Sequence, residues 1–154
     1  IRCDVSVVCH NKDRRIVFAG KEIGIKNVEL VHARAEDLAK KKEYREQYDF
    51  ATARAVAELR VLSEYCLPFV KQGGYFVSMK GALAELEIEN AENALKVLSG
   101  KIEDKFCFDL CSQGERNIIK IPGGDKRAII KVKKISQIPT KYPRVSAQIA
   151  KKPL

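Results

Sequence analysis

The chain has 154 residues, 45% of them hydrophobic, nine glycines, five prolines and a formal net charge of +9. That is enough for one globular domain with a proper core, and it is neither low-complexity nor disulfide-dense. No apolar run reaches the roughly 18 residues of a membrane span and no secretory signal pattern opens the chain, so no membrane partner and a cytoplasmic location are expected.

In chain order, "VSVV" at 5 to 8 reads as a short strand. A helix over about 12 to 23 follows, with Ile16, Ala19 and Ile23 on one face, and "GIKN" breaks it. "VELVH" at 28 to 32 is a strand, "AEDLAKKKEYREQ" a polar, partly helical connection, and "DFATA" at 49 to 53 another strand. Leu59, Leu62, Cys66 and Phe69 recur at helical spacing, Pro68 lies near the end of that helix and "QGG" closes the connection. "GYFVSMK" at 74 to 80 reads as a buried strand. A helix over about 85 to 98 turns Ile88, Ala91, Leu95 and Leu98 inward, opens with Glu85, Glu87 and Glu89, and stops at Gly100. β-prone runs at about 102 to 110, 116 to 121 and 127 to 133 finish the series, the last two joined by the turn "PGGDK".

Strands alternating with helices and then running consecutively predict an α/β fold: a doubly wound, Rossmann-like parallel sheet ending in an antiparallel hairpin. Residues 28 to 32, 49 to 53 and 74 to 80 are expected as adjacent parallel strands. Residues 1 to 134 form the α/β domain in this reading, and 135 to 154 a basic C-terminal tail. The five cysteines are odd in number and scattered, which suits reduced thiols. Cys107 and Cys111 could meet His10 or His32, but the paired short spacings of zinc modules are missing and no metal is assigned.

Ligands of such sheets gather outside the carboxyl ends of the strands, which singles out Cys9 and His10, His32 to Asp37, Thr52 to Arg54, and Ser78 to Gly81. Arg54 and Lys80 then face one crevice, with Glu36 supplied by the loop after the strand at 28 to 32, an arrangement that suits a carboxylate-bearing ligand or a base. Position alone equally allows Arg54 to be a surface charge paired with Glu58 and Lys80 to be a snorkelling strand end.

The charge is unevenly placed. Residues 1 to 125 carry 20 Lys/Arg and 20 Asp/Glu, whereas residues 126 to 154 carry nine Lys/Arg and no acid. A one-sign segment makes a local field that attracts polyanions, nucleic acid first among them; a solubilising tail is the plainer alternative. "KYPR" at 141 to 144 adds shape to the charge.

The ordered set "RAED", "REQYD", "TARAVA", "EYCLP" and "KYPR" resembles the bacterial 16S ribosomal RNA guanine-N7 methyltransferases, the glucose-inhibited division protein B family, over about residues 12 to 154. The resemblance implies an S-adenosylmethionine-dependent methyltransferase fold acting on the ribosomal small subunit. Carried over motif by motif, Ala35 and Glu36 lie on the adenine side of the cofactor and Arg54 at the cofactor and reaction centre. Arg34, Lys80, Lys141 and Arg144 are implied to hold RNA phosphate or the target nucleotide. Guanine N7 carries a lone pair and no proton, so the reaction needs alignment rather than a general base, and no catalytic acid or base is assigned.

No glycine-rich loop precedes the strand at 5 to 8, and Cys9 and His10 stand where the family's second strand usually ends in an acid. The chain therefore reads as a family member lacking its N-terminal part. A noncatalytic RNA-binding or ribosome-assembly module on the same fold is the alternative from another functional class.

Overall fold

Residues 5–9, 28–54, 57–110, 112–114, 117–119 and 125–154 are described in a computed structural model of the chain. The short β-branched runs Val5–Cys9 (β1) and Val28–His32 (β2) lie side by side as a parallel pair, Val5 opposite Val28 and Cys9 opposite His32. A four-residue helix, Ala35–Leu38 (α1), follows β2. The helix expected over 12 to 23 lies outside the described residues.

Tyr48–Arg54 (β3) and Val70–Lys80 (β4) form a second parallel ladder, with Phe50 opposite Tyr75 and Arg54 opposite Met79. Between them runs Leu59–Cys66 (α2), which tightens into a 3-10 turn at Leu67–Phe69, where Pro68 has no amide to continue the helix. Gly74 is required by this crossing: a Cβ there would lie 2.6 Å from the carbonyl oxygen of Asp49. After β4 come Ala84–Asn90 (α3), Glu92–Val97 (α4), Gly100–Leu110 (β5), Ser112–Gly114 (β6), Asn117–Ile119 (β7), Asp125–Lys134 (β8) and Ser146–Lys151 (α5).

Three expectations are adjusted. Strand β2 pairs with β1 and not with β3, so the sequence-adjacent strands at 28 to 32 and 49 to 53 belong to different ladders among the described residues. The helix expected over 85 to 98 is two helices, with the chain tightening at Ala91, whose amide returns to the Ile88 carbonyl at 3.0 Å. The expected pairing of 116 to 121 with 127 to 133 is replaced by β6 with β7, while β8 inserts antiparallel between β4 and β5. Its composition explains the insertion. Ala128, Ile130 and Val132 are buried on one side while Ile129, Lys131 and Lys133 stay partly open on the other, as expected of a strand inside a sheet covered on one face.

The covered face carries the core. Leu59, Leu62 and Leu67 from the α2 region and Ala91, Ala94, Leu95 and Leu98 from the α4 region pack on Phe76, Ile130 and Val132. A smaller cluster of Leu38, Ala39 and Phe69, with Ala35 and Tyr48 against it, joins α1 to the body.

The segment 135 to 154 docks on this body: Ile138 and Tyr142 belong to the main core cluster, and Ile149 is fully buried. Polar links hold it there. Arg45 donates to the carbonyls of Tyr142 at 2.8 Å and Ile138 at 2.9 Å, and the amide of Ile138 donates to Glu46. Lys134, fully buried, donates to Glu46 Oε1 at 2.6 Å, to the Val70 carbonyl at 2.6 Å and to the Leu67 carbonyl at 3.2 Å, so each of its three protons has an acceptor.

Burial pushes the Glu46 carboxyl up, but the hydrogen bonds from Lys134 and the Ile138 amide outweigh it and hold the group below the ordinary carboxylate range. A carboxylate with a lowered folded-state pKa adds stability above its unfolded pKa and loses it as pH falls through the folded value. Glu46→Gln is therefore expected to lower the melting temperature near pH 7, with the gap to wild type closing below about pH 4. Melting curves from pH 3 to 7 check this, and a pH-independent gap would contradict it.

Candidate functional site

Strands β3 and β4 run in the same direction and stop together, so Arg54 and Lys80 do reach one sheet edge, Arg54 opposite Met79 and Lys80 one residue beyond. Their surroundings differ. Arg54 is exposed, with no polar partner among the described residues. Its alternative pairing with Glu58 is not formed: Glu58 takes Arg60 at 2.8 Å, and Arg54 is still in extended backbone, outside the i,i+4 geometry of a helix. The guanidinium is left as an open fork of donors, suited to a carboxylate or to the acceptor edge of a base.

Lys80 turns inward. Its ammonium lies 2.5 Å from Glu87 Oε2 and donates to the Ala57 carbonyl at 2.5 Å, and its side chain is 6% exposed. It is neither a snorkelling strand end nor a cation free to meet a phosphate. Arg144 is committed in the same way. Its Nε and Nη2 embrace the carboxylate of Glu64 at 2.8 and 2.6 Å, its amide adds a bond to Glu64 Oε1 at 2.9 Å, and Nη1 reaches the Lys152 carbonyl at 3.0 Å. Both of these cations are thus engaged by carboxylates of the protein itself, Lys80 by the part-buried Glu87 and Arg144 by the fully buried Glu64.

The other two cations expected at RNA are outward-facing. Arg34 precedes α1, giving its carbonyl to the amides of Asp37 and Leu38 while its side chain is exposed. Lys141 is exposed, with its ammonium 5.3 Å from the centre of the Tyr142 ring. Tyr142 is itself anchored in the core, so the "KYPR" stretch presents Lys141 from a fixed base.

Ala35 and Glu36 open α1 just after β2. Ala35 packs against the small cluster, while Glu36 is 1% exposed with neither carboxylate oxygen hydrogen-bonded among the described residues. An unpaired buried carboxylate costs several kcal/mol, so a group bearing N–H or O–H donors fits against it. An adenosine moiety has both kinds of donor. Among the described residues, Glu36 after β2 is thus an acceptor without a donor and Arg54 at the end of β3 a guanidinium without an acceptor.

Sequence reasoning missed Glu64 and Glu87. Glu64 interrupts the apolar run "VLSEYCLPF", and an acid there is the one local sign that a distant cation must come to meet it. Cys66 and Cys107 are free thiols; burial pushes the Cys66 thiol up to about 12, which leaves it unreactive at neutral pH.

Solved structures share this architecture. A putative methyltransferase from Thermoplasma acidophilum matches with a TM-score of 0.62 at 14% identity, over 86% of this chain and 58% of that one. M. jannaschii TYW2 in complex with AdoMet matches with a TM-score of 0.59 at 13% identity, over 86% of this chain and 59% of that one. The fold is thus that of the Rossmann-like methyltransferases. Residues 5–119 match the GidB family, described as rRNA small subunit methyltransferase G, and the chain belongs to that family. Proteins named Ribosomal RNA small subunit methyltransferase G are similar to it: that of Lactobacillus acidophilus is 46% identical over 134 residues, 87% of this chain and 52% of the relative. That of Acetivibrio thermocellus is 49% identical over 135 residues, again 87% of this chain and 51% of the relative. The chain spans about half the length of the curated relatives it matches.

Proposed function

We propose that the full-length encoded protein transfers a methyl group from S-adenosylmethionine to N7 of a guanine in 16S ribosomal RNA, acting in the cytoplasm on the RNA or the small-subunit particle. The family match over residues 5–119 carries this reading, and the chemistry of the strand ends agrees with it. When bound, the cofactor supplies an electrophilic methyl group. Ala35, through its backbone, and Glu36 hold the adenosine side, and Arg54 holds the carboxylate or the target base in a fixed fork. Arg34 and Lys141 meet the RNA backbone, while Lys80 and Arg144 support the site from within. Because N7 has a lone pair and no proton, these residues need only orient the reactants and exclude water. No helix among the described residues is long and apolar enough to cross a membrane.

The test is incorporation of labelled methyl from S-adenosylmethionine into small-subunit RNA, with the modified guanine identified by mass. RNA binding with no cofactor binding would favour the noncatalytic assembly module instead.

Salt dependence tests the RNA surface separately. Of the nine cations beyond residue 125, Lys131 and Lys133 pair with Glu103, Lys134 with Glu46 and Arg144 with Glu64. Lys126, Lys141, Lys151 and Lys152 are exposed without an ion pair among the described residues. With about four phosphate contacts, log K is expected to fall against log salt with a slope of roughly −3 on single-stranded RNA. A flat response in filter binding would remove nucleic acid as the reason for this charge.

A further inference from the structure

The connection between Arg54 and α2 is gripped from outside. Glu58, at the N-cap of α2, makes no side-chain cap and spends its carboxylate on Arg60. The first helical amide, that of Leu59, donates instead to Glu87 Oε2 at 2.7 Å, an acceptor 28 residues away on α3. The same oxygen lies 2.5 Å from Lys80 Nζ, and Lys80 in turn takes the Ala57 carbonyl at 2.5 Å. One part-buried pair therefore holds the carbonyl on one side of Glu58 and the amide on the other. Lys80 also follows Met79, the register partner of Arg54, so the grip is anchored in the same ladder that ends at Arg54.

A buried ion pair is a weak source of stability compared with apolar side chains of the same volume, because desolvating both charges offsets their attraction. What it adds is direction. Neither Lys80 nor Glu87 is open to a ligand, their side chains being 6% and 19% exposed, yet both hold backbone groups just before α2, the Ala57 carbonyl and the Leu59 amide. We propose that Lys80 and Glu87 are positioning residues: they clamp the α2 side of the β3-to-α2 connection, at Ala57 and Leu59, and so fix the strand end that presents Arg54 to the cofactor. The functional part of this proposal rests on the place given to Arg54 above.

The test uses the full-length protein with Lys80→Met and Glu87→Leu combined, which keeps the volume and removes the grip, and with Glu87→Gln, which keeps an oxygen for the Leu59 amide. Lys105→Met with Glu85→Leu, an exposed ion pair between β5 and α3, is the control. The readouts are hydrogen exchange of residues 57 to 62, the rate of tryptic cleavage after Arg54, and S-adenosylmethionine affinity by calorimetry, with thermal melting to establish that each variant is folded. The combined variant is expected to exchange the Leu59 amide and to be cleaved after Arg54 at least tenfold faster than wild type, and to bind cofactor about tenfold more weakly. Glu87→Gln should keep most of the protection, and the control all of it. A folded combined variant with wild-type exchange and cleavage overturns the clamp. A loosened connection with unchanged cofactor affinity overturns the positioning role. If wild type and control bind no cofactor, the functional reading of Arg54 fails, and the clamp stands or falls on exchange and cleavage.

Discussion

Arg144→Ala is expected to destabilise the protein by about 3 to 5 kcal/mol, the loss typical of stranding one member of a buried ion pair. Glu64 is fully buried on α2 and receives three of its hydrogen bonds from Arg144, two from the guanidinium and one from the amide. Truncating the side chain removes the two charge-bearing ones and leaves a carboxylate with no water to replace them. Arg144→Lys should recover only part of the loss, because a point ammonium cannot span both oxygens and reach the Lys152 carbonyl as well. Replacing both partners, Glu64→Leu with Arg144→Met, should cost less than either single truncation. Urea titration of the wild type and these variants measures the costs. A cost for Arg144→Ala below about 1 kcal/mol would mean that the pair is solvated in practice, returning Arg144 to the pool of cations available to RNA.

What the sequence disclosed and what it hid divide along a physical line. Helix α2 was legible because Leu59, Leu62 and Cys66 follow one another at helical spacing. The ends of β3 and β4 were legible because parallel strands joined by a helix must bring Arg54 and Lys80 to the same sheet edge. Local periodicity sees one element at a time, however, and the place of β8 between β4 and β5 depends on partners with which "RAIIKVKK" shares no local signal. The same holds for the cations. Whether a Lys or Arg is solvent-facing depends on a carboxylate that the fold delivers, and the partners lie far off: Glu46 is 88 residues from Lys134 and Glu64 is 80 from Arg144. A run of nine cations with no acid therefore reads as a basic tail, although four of the nine pair with three acids of the preceding sequence, Lys131 and Lys133 sharing Glu103. Glu36 is the opposite case. Its position after β2 was legible, but its burial without a partner among the described residues was not, and that burial is what suits a ligand donor.

Arg54→Ala is expected to abolish most methyl transfer while leaving stability nearly untouched. The side chain is exposed and bonded to nothing described, so its removal strands no buried group; surface changes of this kind usually stay within about 0.5 kcal/mol. The loss should instead appear in function, since removing a bidentate charge-assisted contact from a ligand carboxylate or a reacting base costs about 2 to 3 kcal/mol, or roughly 30- to 150-fold. Arg54→Lys keeps the charge but not the planar fork, and the recovery should be partial at most. The two possible targets of the fork separate kinetically. If Arg54 holds the cofactor carboxylate, KM for S-adenosylmethionine should rise in both variants with kcat affected less; if it holds the guanine, KM for the RNA or kcat should carry the change instead. The measurement is methyl incorporation into small-subunit RNA by the full-length wild type and both variants, with thermal melts alongside. Wild-type turnover by Arg54→Ala would remove this arginine from the ligand site, and a loss that followed the melting temperature would make it a structural residue after all.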